Sequence, residues 1–177
     1  MTNTMQYSIS IAAAVERFLK RQKIRFVFYK EEAAFKFTIR MKESKLGFIQ
    51  YHIYVKPGCL LVYGFSPFGW ESPNVTARMK EFICYVNQGL WYGAFETDEK
   101  ILAFRTFVDC AGDVFLTDEV LQHAIYFPIG MFDKYQEEIY DIMFSDVPVQ
   151  EILKRLKKGG GIRKFLAGRD FDPSKNL

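Results

Sequence analysis

Apolar positions change period several times along the chain, and each change marks an element. Ile11, Ala14, Val15, Phe18 and Leu19 recur at helical spacing, with Glu16, Arg17 and Lys20 on the other side. That pattern predicts a first helix from a Ser8 or Ser10 cap to about Gln22. The period then drops to two. Phe26 and Phe28 alternate with Arg25, Val27 and Tyr29, and Phe35, Phe37, Ile39 and Met41 alternate with Lys36, Thr38, Arg40 and Lys42. The second run predicts a strand with one apolar and one basic, wet face. From Leu46 to Val55 the alternation continues, but both sets carry bulk: Ile49, Tyr51, Ile53 and Val55 against Phe48, Gln50, His52 and Tyr54. A strand with two such faces belongs inside a sheet.

Pro57-Gly58 is a turn pair, and Cys59 to Phe65 supplies a fourth strand. Four strands on short links predict an antiparallel meander. Pro67, Gly69 and Pro73 break the run, so Gly64 to Trp70 reads as a turn-rich linker. Asn74 is placed to cap a helix whose Val75, Met79, Phe82, Val86 and Leu90 line one face, ending near Gly89. A hairpin follows: Trp91 to Thr97, a turn at Asp98-Glu99-Lys100, then Ile101 to Asp109, with a break at Gly112-Asp113. Thr117 caps a long helical stretch with Asp118 and Glu119 in its first turn. Leu121, Ile125, Ile129, Phe132, Tyr135, Ile139 and Ile142 run along it, and Pro128 predicts a kink or two abutting helices. Pro148 opens a last helix with Val149, Ile152, Leu153 and Leu156 on its apolar side. The order is α-ββββ-α-ββ-α(kinked)-α, an α+β domain with helices packed on an antiparallel β-sheet.

Composition narrows the class. The chain has 177 residues, 49% apolar and 25% charged, as expected of one globular domain rather than a disordered chain. No run approaches the roughly 18 apolar residues of a membrane span, so no membrane association is expected. The first residues lack a basic region followed by an apolar run, so no secretory signal is predicted. Cys59, Cys84 and Cys110 are odd in number and far apart, without metal-site or disulfide spacing, and a reducing cytoplasm is the expected location. The net charge of +3 conceals an asymmetry. From Lys154 to Leu177 there are eight basic residues against two acids, a net +6, which leaves −3 on residues 1–153. Residues 1–158 are therefore expected to form the domain, and 159–177, led by three glycines, a basic tail.

Candidate chemistry is sparse. His52 and His123 are the only histidines, one in a predicted strand and one in a predicted helix, and no nucleophile or His-rich metal motif accompanies them. The glycine triplet has no strand before it and no Gly-Lys-Ser/Thr, so it is a linker rather than a phosphate loop. Asp133, Glu137 and Asp141 fall at i, i+4 and i+8, a solvated stripe with too few oxygen ligands for a hard cation. No cofactor, metal or catalytic residue is expected. Nucleic acid is not the expected partner, because only the tail would attract phosphate and it lacks interleaved aromatics. The outlying figure is 17% aromatic, with 18 Phe and 10 Tyr. Most of these fall on predicted core faces. Phe65, Phe68 and Trp70, in the predicted linker, remain as candidate partner-binding residues, with Phe48 and Tyr54 on a second sheet face beside them.

The segment Asn87-Gln-Gly-Leu-Trp-Tyr-Gly93-Ala-Phe95-Glu96 resembles the centre of the bacterial YbjN family, of the type III secretion chaperone-like superfamily. The acidic turn Asp98-Glu99, Phe104-Arg105, Thr117-Asp-Glu119 and Asp133-Lys-Tyr135 continue the likeness in order and spacing over about residues 10–156. The resemblance implies an antiparallel sheet with helices packed on it, with Gly93 at a turn and Phe95 and Phe104 facing the core. It also implies a non-enzymatic protein-interaction role, chaperone-like or regulatory, and a homodimer. A client could be held by strand addition or in apolar grooves. The competing expectation is a small-ligand-binding or enzymatic domain with a pocket between sheet and helices.

Overall fold

The computed structural model describes residues 7–98, 100–111 and 116–158. The basic tail, the Gly112-Asp113 break and Glu99 of the acidic turn lie outside the described residues. Helix α1 (Ile9–Arg21) begins at Ser8, whose hydroxyl accepts the Ile11 N–H at 3.3 Å. Strands β1 (Val27–Tyr29), β2 (Ala34–Arg40), β3 (Phe48–Val55) and β4 (Cys59–Gly69) follow, then α2 (Pro73–Asn87). Strands β5 (Ala94–Thr97) and β6 (Ile101–Asp109) form the second hairpin, and α3 (Asp118–Lys134), α4 (Gln136–Phe144) and α5 (Val149–Lys158) complete the described chain. The fold is α+β, and its one sheet is antiparallel throughout in the order β1-β2-β3-β4-β6-β5.

Register separates the two faces of this sheet. Phe35, Ile53 and Val62 lie in one cross-strand row, and Phe37, Tyr51 and Gly64 in the next, continued by Phe104 and Phe95. All of these point to the helices and are buried. Burying this apolar face is the main driving force for the layered arrangement.

Helix α3 is the element that binds helices to sheet, and it does so at a proline. Pro128 sits inside α3 without ending it. A helical proline has no N–H for the carbonyl four residues earlier, here that of Ala124. Thr106 of β6, fully buried, donates its hydroxyl to that carbonyl at 2.8 Å. Beside it the Tyr51 hydroxyl donates to the Ile125 carbonyl, also at 2.8 Å. The ring of Pro128 needs room, and β4 provides it at Gly64, where a Cβ would lie 3.0 Å from Pro128 Cβ. The expected interruption near Pro128 therefore falls seven residues later, at Tyr135 (φ −109°, ψ 14°), where α3 gives way to α4. The sheet, by repairing the proline's missing bond, moves the break.

Three other expectations change. Strand β4 runs to Gly69 instead of stopping at Phe65, because a shift in its register against β6 between Phe65 and Gly69 takes Pro67 out of the regular ladder. The predicted linker is thus the end of a strand. Strand β5 starts at Ala94 rather than Trp91, since Gly93 turns the chain at φ +73° and a Cβ there would lie 2.5 Å from the Phe104 ring. Helix α2 is entered through Ser72 and Pro73, not capped by Asn74. At its other end Asn87 donates to the Phe95 carbonyl and accepts the Phe95 N–H, both at 2.9 Å, so one side chain ties helix to strand. Phe95 and Phe104 are buried as expected.

Replacing Thr106 by valine keeps the shape and removes the donor, so it leaves the Ala124 carbonyl unsatisfied and is expected to cost about 1–3 kcal/mol. Thr106→Ser keeps the hydroxyl and is expected to lose less. Equal losses in urea denaturation of the two variants would show that the methyl group, and not the hydroxyl, carries the stabilisation.

Candidate functional site

The face of the sheet turned away from the helices has its own side-chain order. Lys36, His52, Tyr63 and Arg105 form one row across β2, β3, β4 and β6. Tyr54, Leu61 and Phe107 form the row on one side of it, and Gln50, Phe65 and Ala103 the row on the other. Because β3 and β4 each carry bulk at both parities, their second set of side chains projects here. No helix among the described residues is placed over these rows. Val27 and Tyr29 of β1 and Phe107 of β6 are 56%, 45% and 45% exposed.

At the centre four rings shield one another. His52 lies 4.9 Å from Phe65 between ring centres, and Tyr63 stacks on Phe65 at 5.7 Å with planes 14° apart. Tyr54 stands edge-on to Tyr63 at 6.0 Å, and its hydroxyl lies 3.4 Å from His52 Nδ1. All four side chains are half-buried. They form a rigid aromatic platform, since cross-strand neighbours hold each ring's rotamer. Two ion pairs flank it: Lys36 with Glu32 at 2.6 Å on one side, and Arg105 with Glu96 at 2.7 Å on the other. Burial lowers the His52 pKa and the nearby Lys36 charge lowers it further, so the imidazole is held neutral. Burial raises the Tyr63 hydroxyl. The platform is a neutral aromatic strip between paired charges.

The three residues singled out in the sequence are dispersed. Phe65 belongs to the platform. Phe68, 37% exposed, packs edge-on against Phe144 of α4 at 5.5 Å, at the end of β4. Trp70 is 8% exposed, and its indole N–H donates to the Thr76 hydroxyl at 2.9 Å. Tyr63 and Phe107 were not singled out, although Leu61, Tyr63 and Phe65 alternate with Leu60 and Val62 as visibly as the two sets in β3. His123 stands elsewhere, stacked on Tyr92 at 4.6 Å beside an open hollow of about 400 Å³ that Asp109 and Glu119 also line. The acidic stripe is divided by the break at Tyr135, and Glu137 pairs with Lys45 while Asp141 pairs with Arg155. No group of three or more His, Cys, Asp or Glu among the described residues is arranged to hold a metal ion. No helix among the described residues is long and apolar enough to cross a membrane.

No protein-family model matches the sequence, and a comparison with curated proteins finds no match. Among solved structures, the crystal structure of YbjN from E. coli aligns with a TM-score of 0.45 and 9% identity. The alignment covers 88% of this chain and 97% of that one. The reading of the site rests on this chain's own side chains.

Both histidines have pKa values lowered by burial, so the folded protein disfavours their protonation. Stability from this source is complete above the unfolded-histidine value of about 6.5 and is lost as pH falls through it. Burial raises Glu138, which acts in the opposite sense but near the carboxylate range. Denaturation midpoints at about pH 7.5 and 5.5 are therefore expected to fall with acidification, and less so in a His52→Gln/His123→Gln variant. An unchanged pH dependence in that variant would remove the histidines as its source.

Proposed function

We propose that this chain is a non-enzymatic protein-interaction module, chaperone-like or regulatory, which binds a protein partner through the aromatic face of its sheet. One observation carries this: half-buried His52, Tyr54, Tyr63 and Phe65 form a continuous platform on the side of the sheet where no described helix packs. Rigid aromatic side chains with polar tips lose little entropy on contact and suit both apolar and hydrogen-bonding partners. The edges of the sheet favour the face over strand addition, since β1 has three residues and β5 four. Cys84 is an exposed free thiol, in keeping with a reducing cytoplasm.

A small-ligand or catalytic reading has its own observation in the stacked His123 and Tyr92 beside Asp109 and Glu119. That hollow is open rather than deep, and burial lowers the His123 pKa with no carboxylate partner to raise it. The interaction reading is the better supported.

The test is affinity capture with purified chain. Tyr54→Ser/Tyr63→Ser is expected to lose bound protein while keeping the wild-type thermal midpoint, because both rings lie outside the helix-covered core. Phe68→Ala is expected to retain it. Undiminished capture by the double variant would exclude the face, and loss confined to His123→Ala would favour the hollow.

A further inference from the structure

Resting on the reading that this face binds protein, we infer that its occupant is a second copy of the same chain, packed face to face about a two-fold axis running along the strands between β3 and β4. A two-fold interface must be self-complementary, so each feature on one side of the axis needs a matching feature at the same distance on the other. The central row has that arrangement. Lys36, His52, Tyr63 and Arg105 occupy consecutive strands, with His52 and Tyr63 adjoining the axis and the two cations one strand further out. Rotation sets His52 over the partner's Tyr63, Tyr54 over the partner's Leu61 and Gln50 over the partner's Phe65. It also sets Lys36 over the partner's Arg105, which would repel if either stood alone.

Neither stands alone. Lys36 carries Glu32 beside it and Arg105 carries Glu96. Each cation therefore meets an ion pair, and the four charges can exchange partners across the axis, Lys36 with the partner's Glu96 and Arg105 with the partner's Glu32. An unrelated partner would have no need of this symmetry about the β3–β4 line. Size agrees as well. Six strands spaced about 4.8 Å apart make a face about 24 Å wide, and outward positions along β3 and β4 extend it to about 20 Å or more. That footprint is about 500 Å² per copy, so two copies bury about 1,000 Å², the scale a specific interface needs. Aligned sheets also pack well, with strand directions within about 30° of each other.

Sedimentation equilibrium of the whole chain tests the inference through a charge exchange. Lys36→Glu and Glu96→Lys are each expected to weaken self-association at least about tenfold, and the double variant to recover most of it. All four charges are partly solvated, so folding is expected to survive, with circular dichroism as the check. A second measurement avoids disruptive substitutions. A photo-crosslinking phenylalanine analogue at position 63, in a mixture of isotope-labelled and unlabelled chain, is expected to join the peptide of residues 46–56 of the other copy. A monomer at about 100 µM, a dimer indifferent to both single charge variants, or crosslinks confined to helix residues would each overturn the inference. If the chain is monomeric and Tyr54→Ser/Tyr63→Ser still loses another captured protein, the second copy is excluded while the interaction reading stands. If it is monomeric and that variant loses nothing, both fall.

Discussion

The structure depends on how a proline is accommodated in the middle of its central helix. Pro128 denies a hydrogen bond to the Ala124 carbonyl, and a buried carbonyl without a donor is costly. The donor comes from the sheet, as the hydroxyl of Thr106, while Gly64 on the next strand leaves the space that the ring occupies. Tyr51 completes the junction from β3 through the Ile125 carbonyl. Three neighbouring strands thus each supply one feature at a single turn of α3. The position of α3 over the sheet is set by these directional bonds, where apolar packing alone would allow it to slide.

That arrangement explains why the two faces of the sheet differ. With α3 bound over β4 and β6, and α1 and α2 packed into the same core, the helices lie on one side. The other side keeps its aromatic side chains, and these stabilise one another laterally. His52 shows the consequence: it is surrounded by rings closely enough to be held neutral, yet still faces outward. A surface so ordered before any contact loses little conformational entropy when a partner arrives, which is the physical basis for treating it as a binding face.

Aromatic content proves to be two populations. Phe35, Phe37, Phe82, Phe95, Phe104 and Phe132 are core residues, and Phe26 and Phe28 border the core. The rest divides between rings that close the ends of the fold, such as Trp70 and Phe68, and rings of the outer face. Periodicity distinguishes the first population because a helix-covered strand needs its inward positions apolar. It does not separate the other two, since a ring beside a turn and a ring on a strand look alike until the register is known. Phe65 was legible as a candidate. The neighbours that make it part of a site, His52 from β3 and Tyr63 from its own strand, were visible only as alternation.

Element order, the antiparallel sheet, the caps at Ser8 and Thr117 and the inward faces of β2 and β3 are local properties, written in spacing and in residues that satisfy their own neighbours. The length of β4, the helix break at Tyr135 in place of Pro128, and the assembly of the aromatic platform are not. Each depends on residues far apart in the chain: the register of β4 against β6, the Thr106 hydroxyl meeting the Ala124 carbonyl, and the pairing of β3 with β4. Sequence pattern determines which way a side chain points along its own element, because the backbone period is local. Only tertiary structure decides what it points at, because that depends on which strands become neighbours and in what register.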